Sequence, residues 1–154
     1  MLTIQCYVTS KQKKVVDEQY HLRLCDFGLA RISLKGLGIV IQPEHTMNVL
    51  CVSPEQYEQL SNHSKYNYTE ESAVYNLGMI LFELFTRTRY SDVASLNDLH
   101  QGTRPALPQS VHPDVQHIIE HCWCQLPDDR WTVGEIMARF QQIKEQLLAM
   151  DSSG

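Results

Sequence analysis

The sequence predicts a mainly α-helical domain with a short β-strand pair near its start and one buried helix at its centre. Three observations lead there. The stretch from Glu70 to Thr86 includes Ala73-Val74-Tyr75-Asn76-Leu77-Gly78-Met79-Ile80-Leu81-Phe82-Glu83-Leu84-Phe85, apolar around nearly its whole circumference. A helix without a polar face belongs inside a domain. Val115, Ile118, Ile119, Cys122 and Trp123 recur at helical spacing, as do Ile136, Phe140, Ile143 and Leu147. Strand character is confined to short runs before Asp26.

In chain order, residues 1 to 10 form an apolar-rich opening and Ser10 to Lys14 a polar break. Val15-Val16-Asp17 and the run Tyr20 to Cys25 read as two short strands joined by a turn near Asp17 to Gln19. The second strand ends in Asp26-Phe27-Gly28. A carboxylate carried to a sharp turn on a rigid strand suits a metal ion; the alternative is an ordinary Asp/Gly turn with Phe27 in the core. Ile32 to Val52, with Gly36, Gly38 and Pro43, shows no sustained period and is long for a structureless connection, which points to a functional loop.

Ser53-Pro54-Glu55 opens a short helix from Glu55 to Gln59, and Ser61 to Tyr68 reads as polar loop. Arg104-Pro105 and Leu107-Pro108 mark an irregular stretch before the helix carrying Val115 and Trp123, which Pro127 is expected to close. Thr132 with Glu135 forms a capping box for the last helix. Residues 1–150 are expected to be one domain, and 151–154 a flexible tail.

Composition narrows the function classes. With 154 residues, 43% hydrophobic content and a net charge of -5, the chain suits a globular domain with a real core. Mild acidity gives no footprint for nucleic acid or an anionic membrane, since Lys11, Lys13 and Lys14 are the only basic run. No apolar stretch reaches spanning length, and Met1 is not followed by a basic segment and an apolar run, so a cytoplasmic or nuclear setting is expected. The five cysteines, Cys6, Cys25, Cys51, Cys122 and Cys124, are odd in number and read as reduced core thiols. His121, Cys122 and Cys124 lack the second ligand pair that a structural zinc site needs. Asn62-His63-Ser64 and Asn67-Tyr68-Thr69 read as polar loop.

Several separated motifs fall in one order: Leu24-Cys25-Asp26-Phe27-Gly28-Leu29-Ala30, Ser53-Pro54-Glu55, Tyr75-x-x-Gly78 through Phe82-Glu83-Leu84, Arg104-Pro105-x-Leu107-Pro108, Cys122-Trp123 and Pro127-x-x-Arg130-x-Thr132. From about residue 15 onward the chain resembles the C-terminal lobe of a eukaryotic-type protein kinase, most like the tyrosine-kinase-like and tyrosine kinase groups. The resemblance implies a partial C-lobe without the N-lobe. It also implies that Asp26 would bind the Mg²⁺ of Mg-ATP, that Asp26, Phe27 and Gly28 are a degenerate cofactor-binding motif, and that Glu55, Arg130 and Trp123 are structural, with Glu55 ion-paired to Arg130. Between Thr86 and Arg104 there is room for only a stunted helix near Leu96 to His100.

Departures from the family pattern carry as much information. An ungapped count places Val8 where the family has the catalytic Asp, Ser10 where it has Lys, and Lys13 where it has the metal-binding Asn. Valine accepts no proton and a lysine repels Mg²⁺, so no catalytic residue is intact. Tyr7 stands for the Arg that grips activation-segment phosphates, which leaves Ser33, Thr46 and Tyr57 as ordinary hydroxyls. Ala73 replaces the Asp that anchors the catalytic loop, and Met47-Asn48 replaces Gly-Thr.

The expectation is a pseudokinase-type interaction module without phosphotransfer. It would need no cofactor and bind other proteins, a kinase or kinase substrate among them, but neither nucleic acid nor membrane. The alternative is a truncated product of an active ATP-dependent kinase, Ser/Thr or Tyr, whose N-lobe and catalytic loop are missing from this chain.

Overall fold

The computed structural model describes residues 2–3, 31–32, 52–62 and 69–152. Their elements run β1 (Leu2–Thr3), β2 (Arg31–Ile32), α1 (Pro54–Ser61), α2 (Glu70–Thr86), α3 (Leu96–His100), α4 (Pro113–Cys122) and α5 (Val133–Asp151). β1 and β2 pair antiparallel, with Leu2 opposite Ile32 and Thr3 opposite Arg31. The strand pair expected at Val15 to Cys25, and the turn Asp26-Phe27-Gly28, lie outside the described residues.

Helix α2 has the bounds its apolar content predicts. Thr69 caps it: its hydroxyl accepts from Ser72 N at 3.2 Å while Ser72 Oγ accepts from Thr69 N at 3.1 Å. Glu70 and Glu71 place negative charge at the positive end of the helix. At the other end Arg87 adopts φ 56° and donates its N–H to Glu83 O, a left-handed stop that glycine more often supplies. Val74, Tyr75, Met79, Leu81 and Phe82 are buried. α2 is the buried central helix expected, and within it Leu84 and Phe85 of the last turn are exposed.

The α2–α4 contact is the densest between elements, and Gly78 permits it. A Cβ built on Gly78 would stand 2.8 Å from Cys122 Cβ and 3.3 Å from Trp123 Cβ and N. Glycine here is a matter of close approach, not of turn conformation. Beyond this crossing Phe82, Tyr90 and Trp123 form an aromatic cluster, with ring centroids 5.3 Å (Phe82–Tyr90), 5.6 Å (Phe82–Trp123) and 6.0 Å (Tyr90–Trp123) apart. Glu83 Oε1 accepts from Tyr90 N at 2.9 Å and ties the following loop to the helix.

Helix α3 has the short extent expected, capped reciprocally by Ser95 and Asp98, and it buries Leu99. Helix α4 starts with His112 as its cap and Pro113 in its first turn. It stops at Cys122, not at Pro127: Trp123 leaves the helix to fill the core, and Pro127 instead begins a 3₁₀ turn, Pro127–Asp129.

Helix α5 has the expected box, with Glu135 Oε2 accepting from Thr132 N at 2.8 Å and Thr132 Oγ1 accepting from Glu135 N at 3.3 Å. Ile136 and Ile143 are buried and Phe140 packs partly, but Leu147 is exposed. α5 has 19 residues against 10 in α4, a difference of roughly 13 Å of helix at 1.5 Å per residue. Asp151, expected to begin a fraying tail, is the last helical residue, followed by Ser152 Oγ donating to Leu148 O at 2.6 Å. Residues 153–154 lie outside the described residues.

Gly78→Ala should destabilise the protein by about 1–3 kcal/mol, because the α2–α4 crossing must open to admit a methyl group. Gly134→Ala, whose Cβ would meet nothing nearer than Thr132 Oγ1 at 3.9 Å, should stabilise by about 0.4–1 kcal/mol. Urea denaturation of the two variants checks the opposite signs.

Candidate functional site

Arg130 is the centre of the described site. It follows the Pro127–Asp129 turn, and its guanidinium is fully buried, with side-chain exposure of 0% against 24% for its partner Glu55. A guanidinium carries five N–H donors, and burial requires each to find an acceptor. Two go to Glu55, Nη1 to Oε1 at 2.8 Å and Nη2 to Oε2 at 2.7 Å, a bidentate pair. Nη1 also donates to Glu71 O at 2.9 Å, Nε to Cys124 O at 2.9 Å and Nη2 to Gln125 O at 3.3 Å.

These acceptors are four residues from three parts of the chain. Glu55 lies in the first turn of α1, where Ser53 Oγ donates to Oε1 at 2.7 Å. Glu71 lies in the first turn of α2, and Cys124 and Gln125 follow the end of α4, where carbonyls lose their helical partners. Burial pushes the Glu55 carboxyl up. Hydrogen bonds from Arg130, Ser53 and the backbone, with the guanidinium charge, outweigh that and hold it below the ordinary value of 4.5.

Tyr75 supplies the floor. Its ring is fully buried, with Arg130 Cζ 5.1 Å from the centroid and Arg104 Cζ 5.4 Å from it. Arg104 is itself fixed by Leu99 O at 2.9 Å, Trp123 O at 3.0 Å and Gln125 Oε1 at 2.9 Å. A cavity of about 260 Å³ opens beside Arg130, between the start of α2 and the 127–132 loop, and includes Glu70, Glu71 and Asp128 in its lining. With Arg130 committed to five acceptors, the remaining charge in that lining is acidic, so it does not suit a phosphate.

The structure therefore brings Glu55 and Arg130 together across the fold and seats Trp123 in the aromatic core. It places Ala73 half-buried in the first turns of α2, where a methyl group offers no acceptor to a neighbouring backbone. Val8, Ser10, Lys13, Asp26, Phe27, Gly28, Ser33 and Thr46 lie outside the described residues. Tyr57 is described: it is half-buried and packs against His100, ring centroids 4.8 Å apart. Sequence reasoning did not find the role of Tyr75 between two guanidiniums or the hub formed by Arg104. Neither has a local signature, since Arg104 acts on Trp123 and Gln125 some twenty residues on.

Residues 10–140 match the family model described as protein tyrosine and serine/threonine kinase. This chain belongs to that family. Among similar proteins of Dictyostelium discoideum, a probable serine/threonine-protein kinase is 30% identical over 141 residues, covering 82% of this chain and 8% of the relative. The RGS domain-containing serine/threonine-protein kinase A is 28% identical over 133 residues, 84% of this chain and 11% of its own. A third, named as the probable inactive serine/threonine-protein kinase roco10, is 30% identical over 108 residues, 66% of this chain and 4% of its own. The chain thus spans a small part of the relatives it matches. Its helical architecture agrees with a kinase C-lobe fragment.

Arg130→Ala should cost about 3–5 kcal/mol, read as a lowered melting temperature, because it removes the cation paired with the Glu55 carboxylate and the donors that meet three backbone carbonyls. Acid should act on the same pair. Glu55 has a lowered folded-state pKa, so its contribution is present above 4.5 and is lost as pH falls through the lowered value. Glu55→Gln should accordingly show a shallower loss of stability below pH 4.5 than wild type in denaturant titrations across that range.

Proposed function

We propose that this chain is a kinase-family C-lobe that serves as a protein interaction module and transfers no phosphate on its own. The observation that carries the reading is the contrast around α2. The structural frame of Glu55, Arg130 and Tyr75 is intact, while Ala73 stands where the family's loop-anchoring Asp would be. The sequence supports it with Val8 at the proton-accepting position and Lys13 at a metal-binding one. Stability and chemistry are separable in this way, because an ion pair holds the lobe without needing any group that touches nucleotide.

The residues present do not fit Mg-ATP. Asp26 retains a carboxylate, but Lys13 stands in the sequence where the family has a metal-binding Asn, and an ammonium supplies no oxygen ligand. No step of phosphoryl transfer is routed through this chain. Its partners in this reading are other proteins, a kinase or a kinase substrate among them, in a cytoplasmic or nuclear setting. The Cys122-Trp123 pair favours descent from the tyrosine-kinase-like or tyrosine kinase groups.

A second reading is supported by the relatives named as kinases, each much longer than the segment it shares with this chain. Here the chain is a portion of an ATP-dependent kinase whose N-lobe and catalytic loop reside elsewhere.

Melting with and without millimolar Mg-ATP, alongside transfer of labelled γ-phosphate to a generic protein substrate, tests the primary reading. An unchanged melting temperature and no label transfer are expected. A saturable rise in melting temperature with Mg-ATP would overturn it.

A further inference from the structure

Helix α4 carries two histidines one turn apart, His117 and His121, on a face that the kinase-like reading does not use. Residues four apart on a helix are neighbours, the spacing at which two imidazoles can share one ion. Their ring centroids lie 4.3 Å apart with the planes at 82°. His117 is exposed and His121 half-buried, so the pair is reachable from solvent.

The surroundings prepare His121 as a ligand. Its Nδ1 lies 2.9 Å from His117 O, where an N–H at Nδ1 donates to the backbone. That tautomer leaves the lone pair on Nε2, and an imidazole bonded through its other nitrogen to a carbonyl is the usual form of a metal-ligating histidine. The ring is held by stacking on Trp131, centroids 4.2 Å apart and planes within 23°. His117 meets the same indole edge-on at 5.1 Å, and Arg139 Cζ lies 5.4 Å from it.

The zinc set that the sequence brings to mind, His121 with Cys122 and Cys124, is not what the fold assembles. Cys122 is fully buried against Gly78, its thiol pushed up to about 12, and Cys124 donates to Glu120 O at 3.2 Å. We infer that His117 and His121 instead form an open two-imidazole site for a borderline divalent transition-metal ion such as Ni²⁺, Zn²⁺ or Cu²⁺. Imidazole nitrogen selects these ions over Mg²⁺ and Ca²⁺, which prefer oxygen. Among the described residues no group of three or more His, Cys, Asp or Glu is placed to hold a metal. In this proposal water or an incoming ligand completes the shell, and the ion is exchangeable. This site is independent of whether the chain handles nucleotide.

Trp131 is a built-in reporter, because a paramagnetic ion bound at His121 sits beside its indole. Titration of the full chain with NiCl2, read by tryptophan fluorescence, should give saturable quenching that EDTA reverses and MgCl2 does not produce. His117→Gln, at an exposed position, should weaken the binding about tenfold or more. His121→Gln should do the same with an unchanged circular dichroism spectrum, and Cys124→Ser should leave the titration as in wild type. Absence of saturable quenching would overturn the inference. So would quenching that persists in both histidine variants, or that disappears in Cys124→Ser.

Discussion

The described fold depends on one buried guanidinium. Arg130 has no exposed side-chain surface, and its five N–H groups meet two carboxylate oxygens and three backbone carbonyls. A charge taken out of water is tolerated only when such partners replace the solvent. Lysine could not substitute, since three donors on a point charge cannot meet five acceptors spread around a plane. The pair differs from a surface salt bridge in what its loss removes: one donor group that joins α1, α2 and the end of α4.

Around this pair the packing is organised by α2. Tyr75 offers one ring to two guanidiniums, so the cation of Arg104, which is bonded to Trp123 O and Gln125 Oε1, and the cation of Arg130 are placed by one side chain. Three residues further along, Gly78 lets α4 approach closely enough to bury Cys122 and Trp123. These links hold the lobe, and none involves a group that would touch nucleotide. The architecture of the lobe therefore rests on packing and one ion pair, independently of any nucleotide contact.

Periodicity and capping are local properties, and they made most of the helices legible. The bounds of α2 and the Thr132–Glu135 box follow from residues within a few positions of one another, whereas the shortness of α3 was implied by the family resemblance. Errors arose where a distant partner decides. Trp123 stands just beyond the end of α4 and is buried in the core, and Leu147 is exposed although it continues the apolar pattern of α5. The His117–His121 pair shares one helical face by spacing alone, yet its significance came from Trp131, ten residues beyond the second histidine.

By itself, the sequence determined the helical class and the kinase family, because each is written in local pattern or residue identity. The family resemblance implied that Glu55 pairs with Arg130, and only the tertiary structure decided how that pair is completed. Glu55 and Arg130 are 75 positions apart, and no spacing rule states that their atoms meet at 2.7 Å or that three backbone carbonyls converge on the same guanidinium. That convergence arises when α1, the start of α2 and the end of α4 pack together, a property of their joint burial and not of any one segment.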